Sequence, residues 1–132
     1  MNVNVLLLCL LLGVDQGYAT DTHVEKVGEL HGYLKTPNYP NNYDNNYEGI
    51  WELDLPVIDK AYTLVLIIDQ MDIEGSPPHC FDYIKVNHQK YCGTSPMTIR
   101  VPDIVGGLII DFHSDMSEKR KGFKAHYEFV QQ

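Results

Sequence analysis

Positive charge is scarce in this sequence. It holds 10 Lys and Arg against 18 Asp and Glu, a formal charge of -8 over 132 residues. Nucleic acid and anionic lipid are both gripped by concentrated Lys and Arg, so neither is an expected partner. No apolar run reaches the roughly eighteen residues of a membrane helix. No Asn-x-Ser/Thr acceptor occurs, so N-glycosylation is not expected. Catalytic signatures are missing as well: there is no G-x-S-x-G, no P-loop, no H-E-x-x-H and no G-x-G-x-x-G. The histidines (His23, His31, His79, His88, His113, His126) are scattered, with no pair at metal-ligand spacing. An enzymatic role is not expected.

What is present is enough for one core. The length suits a single domain, and 44% hydrophobic with 11% aromatic residues excludes a disordered chain. Val5 to Val14 reads VLLLCLLLGV, about the length of a signal-peptide core and too short to span a bilayer. Small residues at Gly17 and Ala19 place cleavage after Ala19, although the usual basic residues before the apolar run are missing. The expected division is a signal peptide over 1–19 and one domain over 20–132, secreted and extracellular.

Export changes how cysteine is read. Of three cysteines, Cys9 leaves with the leader, so Cys80 and Cys92 remain. A pair in an oxidising compartment is most simply a disulfide, closing a loop of about a dozen residues for about 3 kcal/mol. The alternative, a two-cysteine metal site, lacks C-x-x-C spacing.

The remaining pattern is strands and turns. Gly122 to Val130 alternates Phe123, Ala125, Tyr127 and Phe129 with Lys124, His126 and Glu128, the period of a half-buried strand. His126 falls on its outer face and reads as a solvated surface residue. Trp51, Leu53 and Leu55 alternate with Glu52 and Asp54 in the same way. Ala61 to Asp69 is apolar on both faces and rich in β-branched residues, so it predicts a central strand. Asp82 to Asn87 and Leu108 to His113 are shorter candidates. Turn residues punctuate the gaps at Pro37-Asn38, Pro40-Asn41-Asn42, Gly75-Ser76-Pro77-Pro78, Pro102-Asp103 and Gly106-Gly107. The pattern predicts an all-β sandwich.

Oxygen-bearing side chains gather on the expected loops. Asp72, Glu74 and Asp82 flank the turn after the central strand, and Ser114-Asp115-Met116-Ser117-Glu118 follows the Leu108 to His113 strand. Loops at one end of a sandwich meet even when distant in sequence. Crowded carboxylates such as Glu74, Asp82 and Asp115 repel one another and call for a hard cation, for which Ca²⁺ is suited. By composition alone, solvated surface acids are the simpler reading.

The residues also resemble a family. Thr36-Pro37-Asn38-Tyr39-Pro40, Tyr43 and Trp51-Glu52-Leu53 are similar to the opening blocks of CUB domains. Met71-Asp72-Ile73-Glu74, Cys80-Phe81-Asp82-Tyr83, Tyr91-Cys92-Gly93, Phe112-His113-Ser114-Asp115 and Gly122 to Tyr127 resemble the remaining blocks in order. The resemblance spans about residues 28 to 129 and implies a jelly-roll-like sandwich of two antiparallel sheets. It implies that Cys80 and Cys92 match the family's second disulfide. The first is absent: Gly49 stands where its second cysteine would be, as in the amino-terminal CUB modules of complement-activating serine proteases. Cys80 and Asp82 are also one residue closer than the family usually has them.

Within that family, a calcium-binding subset carries acids at the positions of Glu74, Asp82 and Asp115. Ser117 is implied as a ligand through its main-chain carbonyl, Glu118 as a possible further oxygen, and Tyr43 as the residue that steadies the acids. The implied function is calcium-dependent protein binding, in which the acidic site accepts a Lys or Arg of an extracellular partner. Two other classes stay open. Lys119-Arg120-Lys121 on the turn before the last strand could grip heparin or another glycan, as in spermadhesin-like CUB proteins, though a solvated hairpin explains it too. A structural, self-associating matrix component is the other.

Overall fold

The computed structural model describes residues 21–132, so the leader expected over 1–19 lies outside the described residues. Eleven strands follow one another: β1 (Asp21–Val27), β2 (His31–Lys35), β3 (Tyr47–Asp54), β4 (Ala61–Asp72), β5 (Gly75–Ser76), β6 (His79–Cys80), β7 (Tyr83–Val86), β8 (Gln89–Tyr91), β9 (Met97–Val105), β10 (Gly107–His113) and β11 (Gly122–Gln131). One sheet has the order β1-β3-β10-β7-β8 and the other β2-β11-β4-β9, while β5 and β6 form a small ribbon. Pairing is antiparallel throughout except for β1, which runs parallel to β3 at the sheet edge. The all-β sandwich of two antiparallel sheets is therefore the fold, with one parallel strand added.

Alternation builds the core. Trp51 and Leu53 of β3, Ile110 and Phe112 of β10, and Ile84 and Val86 of β7 point inward from one sheet. Leu64, Leu66 and Ile68 of β4 face them from the other, with Phe123, Ala125, Tyr127 and Phe129 of β11. The layers meet in aromatic contacts: Trp51 packs edge-on against Phe123 at 5.5 Å between ring centroids, and Phe112 lies 6.2 Å from Phe123. Such pairs add about 0.5–1.5 kcal/mol beyond the area they bury. Gly49 also faces inward, where a Cβ would come within 3.1 Å of the Tyr47 ring. Aromatic rings crowd the place of the missing cysteine.

Two expectations are revised. β4 is central, but its second face is only half-buried: Val65 and Ile67 lie on the outside of the sheet rather than under another layer. Pro102-Asp103 is not a turn between strands but sits inside β9. Leu64 pairs Val101 and Tyr62 pairs Ile104, so two residues of β9 stand opposite one of β4. Asp103 takes φ 61 at this bulge, and an edge strand tolerates the proline. His126 lies on the outer face as expected, its side chain 42% exposed and its Nδ1 2.8 Å from Oδ2 of Asp69.

Candidate metal centre

One end of the sandwich collects the turns after β2, β4 and β10 and those before β3, β7 and β11. Glu74 leaves β4 just after Ile73, which is fixed by a two-way main-chain bridge to Gly93. The chain then folds through β5 and β6, and the N–H of Asp82 returns to the carbonyl of Glu74 at 3.1 Å. A disulfide between Cys80 and Cys92, with Cα atoms 5.6 Å apart, straps this excursion to the residue that follows β8. Asp115 follows β10. Its carbonyl accepts the N–H of Asn46, and the buried hydroxyl of Ser114 accepts the N–H of Tyr47 and donates to the carbonyl of Asp44.

These anchors bring three distant acids together. Glu74, Asp82 and Asp115 each offer a carboxylate oxygen, all within 4.8 Å of one another. Asp82 is fully buried. Its Oδ2 accepts the phenol O–H of Tyr43 at 2.6 Å, and its Oδ1 accepts the N–H of Asp115 at 2.9 Å. The same Tyr43 oxygen accepts the N–H of Glu74 at 3.3 Å. Ser117 turns toward the cluster, with its N–H and hydroxyl both donating to Oδ1 of Asp115. The hydroxyl and amide of Ser117 therefore orient Asp115.

The electrostatics are strained. Burial raises the Glu74 carboxyl above its ordinary value, and the charges of Asp82, Asp115 and Glu118 raise it further while Arg120 opposes them. Burial also raises Asp82, offset in part by the hydrogen bonds from Tyr43 and Asp115. The Tyr43 phenol is pushed far above its usual range, first by burial and then by its bond to Asp82. Glu74 Oε1 is buried and has no hydrogen-bond partner. Buried polar atoms are seldom left so, and an orphaned carboxylate oxygen beside two other carboxylates fits a cation. The donors are all oxygen, which suits a hard ion and not a thiophilic one.

Asp72 and Glu118 stand apart from the cluster. Asp72 receives Nη1 of Arg120 at 3.5 Å and the N–H of Lys121 at 3.3 Å, while Glu118 pairs with the Arg120 guanidinium. The middle cation of Lys119-Arg120-Lys121 is thus held by two carboxylates. Ser114 and Thr36 were not singled out for any role by sequence reasoning. Thr36 is buried, and its hydroxyl accepts the N–H of Phe123 at the start of β11.

A model of the CUB domain matches residues 23–127. The chain belongs to the CUB-domain family. It is 29% identical over 108 residues to bone morphogenetic protein 1 of Xenopus laevis, covering 75% of this chain and 15% of that protein. It is 27% identical over 112 residues to human tolloid-like protein 1, covering 75% of this chain and 10% of the relative. This CUB module thus spans a small fraction of those relatives. Among solved structures, the CUB1-EGF-CUB2 domain of human MASP-1/3 superposes with a TM-score of 0.67 at 24% identity, over 83% of this chain and 43% of that one. The MASP-1 CUB2 domain bound to Ca²⁺ superposes with a TM-score of 0.63 at 26% identity, over 79% and 96%. Among the described residues, this CUB module has no helix long and apolar enough to cross a membrane.

Proposed function

We propose that this chain is an exported, calcium-binding CUB module that captures a Lys or Arg side chain of an extracellular protein at the acidic end of its sandwich. The observation that carries the reading is Glu74 Oε1, a buried oxygen without a partner beside the carboxylates of Asp82 and Asp115. Leaving such an atom unmet costs about 1–3 kcal/mol or more, and a cation supplies what is missing. Glu74, Asp82 and Asp115 would hold Ca²⁺, with the Ser117 carbonyl as a candidate fourth protein ligand, while Glu118 is held outside the set by Arg120. Bound calcium neutralises the crowded acids and ties their loops together. A calcium-bound relative of the same fold supports this reading.

Tyr43 and the Asp115 amide hold Asp82 in the interior, out of a partner's reach. Glu74 and Asp115 are only partly buried, so they can also accept a charge-assisted hydrogen bond from an incoming ammonium or guanidinium. One such contact is modest and screened by salt, so affinity near about micromolar is expected unless several copies act together. Export rests on the leader over 1–19. Isothermal titration tests the site: the wild type should bind calcium, and Glu74→Ala or Asp115→Ala should abolish it. Unchanged calcium affinity in either variant removes that residue from the site.

A further inference from the structure

The methionines among the described residues differ sharply in exposure. Met71 on β4 is 5% exposed, and Met97 on β9 is partly buried against the core. Met116 is 78% exposed. It follows Asp115 directly in the connection between β10 and β11, and Ser117 comes next. The residues on either side of it are tied together, because the N–H and hydroxyl of Ser117 both donate to Oδ1 of Asp115. The buried Ser114 hydroxyl pins the same segment to Asp44 and Tyr47. A sulfur-bearing side chain is thus presented to solvent from a fixed turn, one residue from a carboxylate of the acidic cluster.

We propose that Met116 is an oxidation site, where hydrogen peroxide converts the thioether to a sulfoxide and so weakens capture at Asp115. A sulfur lone pair attacks one peroxide oxygen, and the O–O bond breaks as the sulfur–oxygen bond forms. The sulfur gives up two electrons, the peroxide takes them, and its other oxygen leaves as water with both protons. Access selects the site, since peroxide reaches Met116 from solvent while packing shields Met71 and Met97. The effect on binding rests on the capture reading above. A protein interface covers about 800 Å² on each partner, so a protein held through Asp115 also covers the next residue. There the thioether offers an apolar, adaptable contact, and the sulfoxide replaces it with a polar group that the partner must desolvate. Folding is spared, because the modified side chain lies in solvent.

The full chain, in calcium, is treated with graded hydrogen peroxide and mapped by peptide mass spectrometry. Met116 should be converted while Met71 and Met97 stay intact. Oxidised and untreated chains are then titrated by NMR with acetyl-Leu-Lys-Leu amide, which sets a cation between apolar side chains. Oxidation should weaken this binding about fourfold, the equivalent of one buried methylene, and leave the melting temperature unchanged. Met116→Leu keeps an apolar side chain without sulfur, so it should bind like the untreated chain and ignore peroxide. Conversion of Met71 or Met97 ahead of Met116 overturns the site. Equal affinity of oxidised and untreated chains, or a peroxide effect that persists in Met116→Leu, overturns its role in binding. If the untreated chain does not bind the peptide in calcium, the capture reading fails and the effect on binding with it, while the peptide map still decides the oxidation site.

Discussion

The Tyr43 hydroxyl donates to Oδ2 of Asp82 at 2.6 Å and accepts the N–H of Glu74, so one oxygen joins three loops 31 and 39 residues apart in sequence. Tyr43→Phe keeps the ring, which packs edge-on to Phe112 at 5.0 Å, and removes only that oxygen. Asp82 is left buried with one acceptor unmet. The variant should lose about 1.5–3 kcal/mol of stability, as for a hydrogen bond to a charged group, and about tenfold in calcium affinity. Denaturant melts and calcium titration read the two effects separately.

The raised carboxyls give the calcium-free protein an unusual pH dependence. Where a group holds its proton more tightly folded than unfolded, the folded state binds more protons and stability falls as pH rises. Glu74 and Asp82 are both raised by burial, so their contribution is fully present below about pH 4 and is lost as pH climbs through the folded values. In chelator, melting temperature should drop across that window. Saturating calcium favours the ionised acids and should abolish or reverse the drop. A chelated protein whose melting point climbs steadily from pH 4 to pH 7 contradicts this.

Gly122 tests the loop behind Arg120 by steric means alone. It takes φ +90, and a Cβ there would meet Thr36 Oγ1 at 1.9 Å, the oxygen that accepts the Phe123 amide. Gly122→Ala combines a left-handed backbone with a collision in a buried pocket. A loss of about 2–3 kcal/mol is expected in thermal or urea unfolding.

Removing the disulfide should act on the site as well as on stability. The bond between Cys80 and Cys92 closes a sequence separation of 12, worth about 3 kcal/mol from loop closure. It also straps the segment that carries Asp82. Cys80→Ser with Cys92→Ser should lower the unfolding free energy by about that amount and weaken calcium binding. Unchanged calcium affinity would show that the hydrogen bonds to Tyr43, Asp115 and Glu74 position Asp82 without the strap.

Much of the fold could be read from local pattern. Phe123, Ala125, Tyr127 and Phe129 are buried as their alternation predicts, and Leu64, Leu66 and Ile68 form the inward face of the central strand. β9 escaped because Pro102-Asp103 has turn chemistry, and only the pairing partner shows that the extra residue makes a bulge. The parallel partnership of β1 with β3 has no local signature either, since it is decided by the sheet. At the candidate metal centre, the acids Glu74, Asp82 and Asp115 could be grouped from their loops and from family resemblance, and Cys80 with Cys92 from number and expected compartment. Asp72 looked equivalent to Glu74 in sequence. Alternation puts them on one face, and only their tertiary partners separate them, Asp72 meeting Arg120 and Glu74 the cluster. The supports from Ser114 and Thr36 join residues 67 and 87 apart, contacts that periodicity does not carry.

A crystal structure of the full chain grown with millimolar calcium puts the account to its most direct test. It should show a single strong peak bounded by carboxylate oxygens of Glu74, Asp82 and Asp115, at about 2.3–2.6 Å from each. Water at that position, or an ion bound elsewhere while these carboxylates keep apart, would contradict it.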